Sequence, residues 1–419
     1  MTASSPMASH RRAMMRRFLA ALAMLAGALA LAGCTLGLWG CGATVETSWS
    51  PNGQAIAYSW QGDLRLYDLE TGQTRRLDAG TEMAMAPSWS PDGKAIAFYA
   101  VTMGEKGGVS LCAIDVASGE VRTLIPDVWP LPREVPAEQV EAGKFSEQAV
   151  SEAQSQSAAL LLYTGRIAWS PDSKRLSCVA GSASEGTVLL MDYPSGTPKA
   201  AVREKECTAA LAWSPDGKRL AYVCLPGSPA APLGADEGGD EPTKPGSLRV
   251  CDLEAGDTAE VCKLTENQLL LGTPLEWSDD SREIGFIMGD PANSDPANSR
   301  AIGCIVEARA GAAVRKELQG VTQNAAWSPG LGGVAFVEDR GPGGMVLLYK
   351  GVRPRVRKVL GVLPLSPPPP PAEAVQIEES QQDSGNAFSL PQFSPDRRKV
   401  SLRVSSTPES AEIAVFPVP

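Results

Sequence analysis

Histidine is almost absent from this chain of 419 residues, which contains one, His10. His10 lies in the N-terminal segment that is interpreted below as a signal peptide, so the mature chain would contain no histidine. A chain without histidine cannot form a Ser-His-Asp or Cys-His triad, a His-Glu-x-x-His zinc site or a facial iron triad. The sequence also lacks any Cys-x-x-Cys pair, so zinc ribbons and thioredoxin-like redox motifs have no support. These absences exclude most familiar hydrolase chemistry, and we expect no metal and no cofactor.

Positive charge is in the minority, with 38 Lys and Arg against 48 Asp and Glu. Four of the arginines lie within residues 1–33, which contain no Lys, Asp or Glu. The other 386 residues therefore set 34 basic side chains against 48 acidic ones, for a net charge of −14. An acidic chain of this kind is a poor candidate for binding nucleic acid.

The first 33 residues have the pattern of a signal peptide. Four arginines between Arg11 and Arg17 precede an apolar stretch of 15 residues, 18–32, which is shorter than the ~18 residues a membrane-spanning helix needs. The Leu-Ala-Gly-Cys that ends at Cys34 resembles a bacterial lipobox, and this resemblance implies lipidation of Cys34 and cleavage before it. The alternative is an ordinary secretory signal cut near the same place.

This pattern predicts a signal peptide over 1–33, a lipidated tether over 34–44 and one folded domain over 45–419. The anchor at Cys34 would attach the exported protein to the bacterial cell membrane or to the outer membrane. The folded domain would then face the periplasm or the cell exterior, where disulfides can persist.

One ten-residue motif recurs seven times along the rest of the chain, and such a repeat decides the fold. The copies begin at Trp49, Trp89, Trp169, Trp213, Trp277, Trp327 and Phe393. Its Trp-Ser-Pro-Asp-Gly core is typical of a tight turn, because Pro fixes φ, Asp bonds its own backbone and Gly tolerates a positive φ. Apolar, β-rich residues on both sides predict a hairpin around each copy, and a second hairpin usually follows.

Units of four short strands and about 40 residues are the blades of a propeller, in which neighbouring sheets bury each other's apolar faces. The sequence predicts an all-β fold, a seven-bladed β-propeller of four-stranded antiparallel blades, with six blades as the alternative. The motif resembles the WD-like repeat of the TolB family, also found in the propellers of prolyl-oligopeptidase-like enzymes. TolB proteins carry a further N-terminal α/β domain, whereas only 14 residues separate Cys34 from Trp49 here.

The seventh unit is shorter than the others, with strands expected over 393–404 and 411–416 before the chain ends at Pro419. A fourth strand supplied by residues near 35–39 would close the ring with both termini. The alternative is a last blade of three strands.

Four segments exceed the length that the blades need. They lie at 126–159, 226–246, 289–300 and 361–385 and have polar, Gly-rich or Pro-rich compositions typical of surface loops. If the strands of a blade are labelled A to D from the axis outwards, these segments join B to C or D to A. Because strands alternate in direction, all four would emerge on one face, which in repeat proteins is often the binding face. The alternative is that loops lengthened where nothing prevents it.

Few residues stand out as candidate ligand contacts. The tryptophans of the motif recur at one position of the blade, so we interpret them as core residues, and its aspartates as turn formers. Glu46, Arg166 and Glu276 lie near the start of strand A, where charges could line the axial mouth. Trp129, in the first long segment, is an apolar side chain without an evident core role. The alternative for each is an ordinary surface residue.

Two cysteine pairs are candidates for disulfides. A hairpin centred on Pro215 and Asp216 would place Cys207 opposite Cys224, and one centred on Gly256 and Asp257 would do the same for Cys251 and Cys262. Directly opposed Cβ atoms lie ~4.5–5.5 Å apart, near the distance that a disulfide needs. The alternative is that these cysteines replace apolar strand residues.

These features predict a non-enzymatic scaffold, anchored to the membrane through Cys34, that binds a protein or a glycan in the cell envelope. No catalytic residue is assigned. The first alternative is a propeller enzyme of the glycosidase or lyase type that uses carboxylates, since carboxylate pairs form in space and leave no sequence pattern. A structural role in a larger assembly is the second.

Overall fold

The strands pair in chain order into seven antiparallel sheets, arranged as the blades of a propeller. The computed structural model describes residues 47–102, 107–129, 166–182, 185–205, 207–225, 246–264, 274–290, 300–322, 324–340, 345–363, 387–388, 390–407 and 410–418. The signal peptide, the tether and most of the four long segments lie outside these residues. The prediction of a seven-bladed, all-β propeller is confirmed.

Each of the first three blades has four strands in the order A, B, C, D. Blade 1 contains β1 (Thr47–Trp49), β2 (Ala55–Trp60), β3 (Asp63–Asp68) and β4 (Thr74–Leu77). Blade 2 contains β5 (Met83–Trp89), β6 (Ala95–Thr102), β7 (Gly108–Asp115) and β8 (Val121–Trp129). Blade 3 contains β9 (Ile167–Trp169), β10 (Arg175–Ser182), β11 (Glu185–Asp192) and β12 (Lys199–Glu204).

The next three blades repeat this order. Blade 4 contains β13 (Cys207–Trp213), β14 (Arg219–Leu225), β15 (Gly246–Asp252) and β16 (Thr258–Leu264). Blade 5 contains β17 (Glu276–Trp277), β18 (Glu283–Gly289), β19 (Arg300–Glu307) and β20 (Arg315–Thr322). Blade 6 contains β21 (Ala325–Trp327), β22 (Gly333–Asp339), β23 (Met345–Gly351) and β24 (Arg357–Val362), and a 3₁₀ turn over Pro329–Leu331 joins its first two strands.

Blade 7 departs from the pattern at both ends. Two short strands, β25 (Ala387–Phe388) and β26 (Gln392–Phe393), share the innermost position and both pair with β27 (Lys399–Thr407). The third strand, β28 (Ser410–Pro417), pairs with the outer side of β27. Among the described residues no strand occupies position D of this blade, and the predicted closing strand at 35–39 lies outside them.

The repeated motif forms the expected turn between strands A and B. In blade 3 the Ser170 hydroxyl donates to the Asp172 carboxylate at 2.6 Å and accepts the Arg175 N–H at 2.8 Å. The same serine–carboxylate bond recurs in blades 2, 4, 5 and 7. The bond from the Ser170 hydroxyl, followed by the bond from the Lys174 N–H, holds the pKa of Asp172 below its usual value. The motif aspartates are therefore turn formers, as predicted.

The motif tryptophans link neighbouring blades. The indole N–H of Trp169 donates to the Ser88 carbonyl of blade 2 at 3.0 Å, and that of Trp213 donates to the Ala168 carbonyl of blade 3 at 3.1 Å. Trp277 repeats the bond with Ala212 at 3.3 Å. These rings are also buried, so they form core between blades, as the sequence indicated.

The same bond joins the two ends of the chain. The indole N–H of Trp49 in blade 1 donates to the Gln392 carbonyl of blade 7 at 3.1 Å, although 343 residues separate them. At the same junction the guanidinium of Arg403 lies 4.5 Å from the centre of the Trp60 ring. The ring is thus closed by side-chain contacts between blades 1 and 7.

The two faces of the ring differ in their connections. On one face the A-to-B and C-to-D connections are all between five and seven residues long; we call it the turn face. On the opposite face the B-to-C and D-to-A connections range from two residues, between β2 and β3, to 37, between β8 and β9. The strands that flank the four long segments all end on this second face, which we call the insert face.

The register at the cysteines differs from the prediction. In blade 4 Cys251 lies opposite Thr258 and Cys262 opposite Leu248, because the turn is centred two residues earlier than expected. The Asp252 carboxylate fixes that turn by accepting the N–H groups of Glu254 and Ala255.

The other proposed pair is displaced as well. Cys224 lies opposite Thr208, one residue from Cys207, in a strand pair whose register shifts between Ala209 and Ala212. The expectation of directly opposed pairs is wrong at both places. Cys224, Cys251 and Cys262 are all buried, the last two as free thiols, and burial raises the pKa of Cys262 to about 11.

Candidate functional site

The turns of neighbouring blades bond to one another around the turn face. The Ser173 hydroxyl of blade 3 accepts the Asp92 N–H of blade 2 at 2.9 Å, and the Ser281 hydroxyl of blade 5 accepts the Asp216 N–H of blade 4 at 3.1 Å. Both serines occupy the positive-φ position of their turn, where other copies have glycine. The turn face is therefore held in one arrangement by bonds between blades.

Two arginines strengthen this arrangement. Arg175 of blade 3 lies 4.8 Å from the centre of the Trp213 ring and donates to the Gly217 carbonyl at 2.8 Å, both in blade 4. Arg219 repeats the contact one blade later, with its guanidinium 5.1 Å from the centre of the Trp277 ring. Arginine stacked on an aromatic face contributes cation–π attraction as well as hydrogen bonds. The Lys-Arg pair within the third and fourth motif copies was the available sequence signal for these contacts.

A cluster of charges lies where the turns of blades 5, 6 and 7 converge. Arg397 of blade 7 forms an ion pair with Asp279 of blade 5, reaching past the turn of blade 6. Contacts that skip a blade are possible only close to the propeller axis, where the blades converge. The Asp279–Arg397 pair therefore lies at the axial end of the turn face.

Gly330 of blade 6 lies beneath this ion pair. Its φ is +72°, and a Cβ built on it would lie 2.7 Å from the Asp279 carboxylate and 2.9 Å from the Arg397 guanidinium. A larger residue would thus be strained and would displace the ion pair. Glycine at the fourth place of this degenerate motif copy, Trp-Ser-Pro-Gly, allows the charges to meet.

Glu276 completes the axial cluster, which we define as Glu276, Asp279, Gly330 and Arg397. It lies on β17, the innermost strand of blade 5, directly before Trp277. Burial raises the pKa of Glu276 to about 8, although the Gly330 N–H and the Arg397 charge favour its ionised form, while Asp279 opposes it. A carboxyl group that is protonated near neutral pH can donate a hydrogen bond and can serve as an acid or a base.

The other predicted site residues do not join this cluster. Arg166 is half-buried and precedes β9, at the insert-face end of strand A in blade 3, where its carbonyl accepts a bond from the Tyr99 hydroxyl at 3.4 Å. Glu46 and Cys34 lie outside the described residues. Of the four candidate ligand contacts, the structure thus places Glu276 alone in the axial cluster.

Trp129 is a core residue and not an exposed ligand contact, so that expectation is wrong. Strand β8 continues past Pro126 through Trp129, which pairs with Val109 and is only 1% exposed. It belongs to the core between blades 2 and 3. The prediction failed because a positive φ at Asp127 and irregular register keep the strand paired beyond its apparent end.

Neither a metal-ligand cluster nor a membrane-spanning helix occurs among the described residues. No group of three or more histidine, cysteine or acidic side chains with the spacing of a metal site occurs in the described part of the chain. Likewise, none of the described residues forms a helix long and apolar enough to cross a membrane.

Comparison with known proteins finds similarity in the fold but no match in sequence. No family model and no curated protein sequence matches the chain. Oligogalacturonate lyase from Vibrio parahaemolyticus is 11% identical, with 89% of each chain covered and a TM-score of 0.54. At this low identity, the similarity shows the fold alone.

Two further solved structures are similar to the chain at low sequence identity. Hydrazine synthase from Kuenenia stuttgartiensis is 13% identical over 89% of this chain and 95% of that chain, with a TM-score of 0.51. TolB from Acinetobacter baumannii is 13% identical over 90% of this chain and 79% of that chain, but its TM-score of 0.43 is too low to carry an argument. Proteins named as enzymes therefore share this architecture with the chain at low identity, and activity must be argued from its own residues.

Proposed function

We propose that the chain is an exported lipoprotein whose propeller binds a protein or a glycan in the bacterial envelope through its insert face. The observation that carries this proposal is the unequal length of the connections. Connections of up to 37 residues are confined to one face, while every turn of the opposite face has five to seven. In repeat architectures, insertions restricted to one face commonly form the binding surface.

The rigidity of the turn face supports the same assignment. Hydrogen bonds between turns, such as Asp92 to Ser173, fix neighbouring blades relative to one another at the turn face. The strands of these fixed blades carry the long connections at their opposite ends. Binding residues are disproportionately found on loops positioned by such a scaffold. Cross-linking in intact cells, with the full chain and with a chain whose long connections are shortened, tests the binding proposal.

Anchorage is expected to depend on one side chain. Changing Cys34 to alanine should abolish metabolic labelling with a fatty acid and release the protein from the membrane fraction, because the Cys34 thiol is the group to which the lipid would be attached. Labelling of cells with a palmitate analogue, followed by fractionation, measures both effects. Cys41→Ala is the matched control and should leave labelling and membrane retention unchanged. Retention of the Cys34→Ala protein in the membrane fraction would contradict a lipid anchor at this residue.

The axial cluster favours a second candidate, an enzyme that uses carboxylates. Glu276 and Asp279 would provide the acid and base, and Arg397 would hold an anionic substrate group. A structural role is the alternative for this ion pair, since Arg397 and Asp279 join blades 5 and 7. Turnover of an acidic oligosaccharide that is lost in Glu276→Gln, a change that keeps the shape of the side chain, would favour the enzyme over the scaffold.

A further inference from the structure

The outer edge of blade 6 carries the most exposed apolar side chains of the described residues. Val359 is 51% exposed and Val362 is 64% exposed, both on the outermost strand, β24. No other large hydrophobic side chain in the described part of the chain is exposed to this degree. Two exposed apolar side chains on one edge strand are an exception among the described residues, and such a surface indicates contact with a partner.

A β-bulge brings the two valines to the same side of the blade. Val362 pairs with Val346 and Val359 pairs with Leu348, while Leu360 has no partner in the register. Because Val346 and Leu348 are two residues apart, their side chains share one face of the sheet. Val359 and Val362 therefore form one apolar patch at the edge, although they are three residues apart in sequence.

Basic side chains lie at one end of this patch, in the turn before β24 and on its first two residues. The turn before β24 and its first residues hold four exposed basic side chains, Arg353, Arg355, Arg357 and Lys358. Arg357 pairs with Glu338 at 2.6 Å, whereas the other three form no ion pair with a described residue. Burial and the charges of Arg357 and Arg355 lower the pKa of the neighbouring Lys350. This positive region stands out on a chain whose acidic residues outnumber its basic ones.

We propose that Arg353, Arg355, Lys358, Val359 and Val362 form a docking surface for the anionic headgroups and upper acyl region of a phospholipid membrane. Basic side chains near an anionic bilayer are attracted to its surface potential, and exposed valines gain by leaving water for the interface. We call these five residues the edge patch. Its combination of charge and apolar area fits a lipid surface better than it fits an acidic protein, for which exposed valines would be unnecessary.

Membrane docking deepens the proposed function, because a lipid anchor needs a second contact to orient the domain. A lipid anchor holds one end of the chain at the bilayer but leaves the orientation of the domain free, and a basic surface can supply the second contact. Cys34 lies 13 residues before Thr47, and an extended segment of that length spans about 45 Å, which allows the edge of blade 6 to reach the bilayer. The edge patch lies on the rim, so docking leaves the insert face open to a partner.

The test uses the chain from residue 34 to 419 with Cys34→Ser, so that no lipid contributes. Its binding to vesicles of phosphatidylcholine mixed with phosphatidylglycerol is measured by co-sedimentation and compared with binding to pure phosphatidylcholine. We expect binding to the anionic vesicles that weakens as salt rises. The triple variant Arg353→Glu, Arg355→Glu, Lys358→Glu should reduce it roughly tenfold or more.

A matched variant separates position from net charge. Lys94→Glu, Lys174→Glu and Arg282→Glu change the charge equally at exposed sites of the turn face and should leave binding within about twofold of the wild type. Val359→Ser with Val362→Ser should weaken the binding that persists at high salt. No binding of the wild-type chain, equal losses in both triple variants, or equal binding to neutral vesicles would overturn the proposal. Because the lipid is absent, these outcomes are independent of anchorage and of partner capture.

Discussion

Trp213→Ala should lower the free energy of unfolding by about 3–5 kcal/mol, the largest loss expected from a single substitution here. The ring is buried between blades 3 and 4, and its indole N–H donates to the Ala168 carbonyl and to the Ser177 hydroxyl at 2.8 Å. Its face also lies against Arg175. Truncation thus leaves a cavity, removes two hydrogen bonds and leaves an unstacked guanidinium, while the Ser177 hydroxyl still donates to the Ala168 carbonyl at 3.1 Å. Urea denaturation followed by circular dichroism measures the change.

Two further variants serve as controls for the stability loss of Trp213→Ala. Trp213→Phe keeps most of the apolar volume and loses the two hydrogen bonds, so we expect an intermediate loss of about 1–3 kcal/mol. Val362→Ser, at an exposed position of β24, should change stability by about 0.5 kcal/mol or less. If Trp213→Ala cost less than about 1 kcal/mol, the interpretation of the motif tryptophans as the joints between blades would be wrong.

Glu276→Gln should make the protein more stable at pH 8.5 and remove much of the pH dependence between pH 5 and 8. The pKa of Glu276 is raised from 4.5 to about 8 in the folded protein, chiefly by burial. Between these values the folded state binds one proton more than the unfolded state, so stability falls as the pH rises. Below pH 4.5 both states are protonated and the penalty is absent.

The magnitude follows from the size of the shift. At about 1.4 kcal/mol per pKa unit, the penalty above pH 8 is a few kcal/mol, with an upper bound of about 5. Thermal unfolding at pH 5, 7 and 8.5 measures it, and Glu254→Gln, at an exposed turn of blade 4, is the control. A Glu276→Gln protein that kept the full pH dependence of the wild type would show that another group titrates.

The repeated motif made the fold predictable, because each copy specifies a turn and the two strands beside it without help from distant residues. Trp-Ser-Pro-Asp-Gly specifies both a turn and a buried ring, and the turn around Ser170 forms as its chemistry requires. Seven copies then leave few alternatives to a ring of sheets. Even the degenerate last copy, beginning at Phe393, forms strands where expected.

The errors came from features that the motif does not encode. Turn centres set the register of Cys251 and Cys262, and a shift of two residues removed the expected opposition. Strand β8 extends past Pro126, which made a core residue of Trp129. Each error is a matter of one to four residues, the scale at which a bulge or an irregular φ overrides a pattern.

The axial cluster could not be assembled from sequence because its members come from three blades. Glu276 was a candidate from its place in strand A, but Gly330 and Arg397 lie 54 and 121 residues later. Only the convergence of turns at the axis brings them together. Gly330 stands where the other motif copies have Asp or Asn, and Arg397 stands where five of the other six have Gly or Ser, so departures from the repeat marked the site.

Cross-linking in intact cells is the most direct test of binding through the insert face. A photoreactive amino acid placed within 226–245 or 364–386 should capture a specific envelope partner, whereas the same group at Lys94 on the turn face should not. Replacing both segments by short Gly-Ser linkers should abolish capture while leaving cooperative unfolding intact. Capture that survives this replacement, or that is equally strong from Lys94, would contradict the assignment of the insert face as the binding surface.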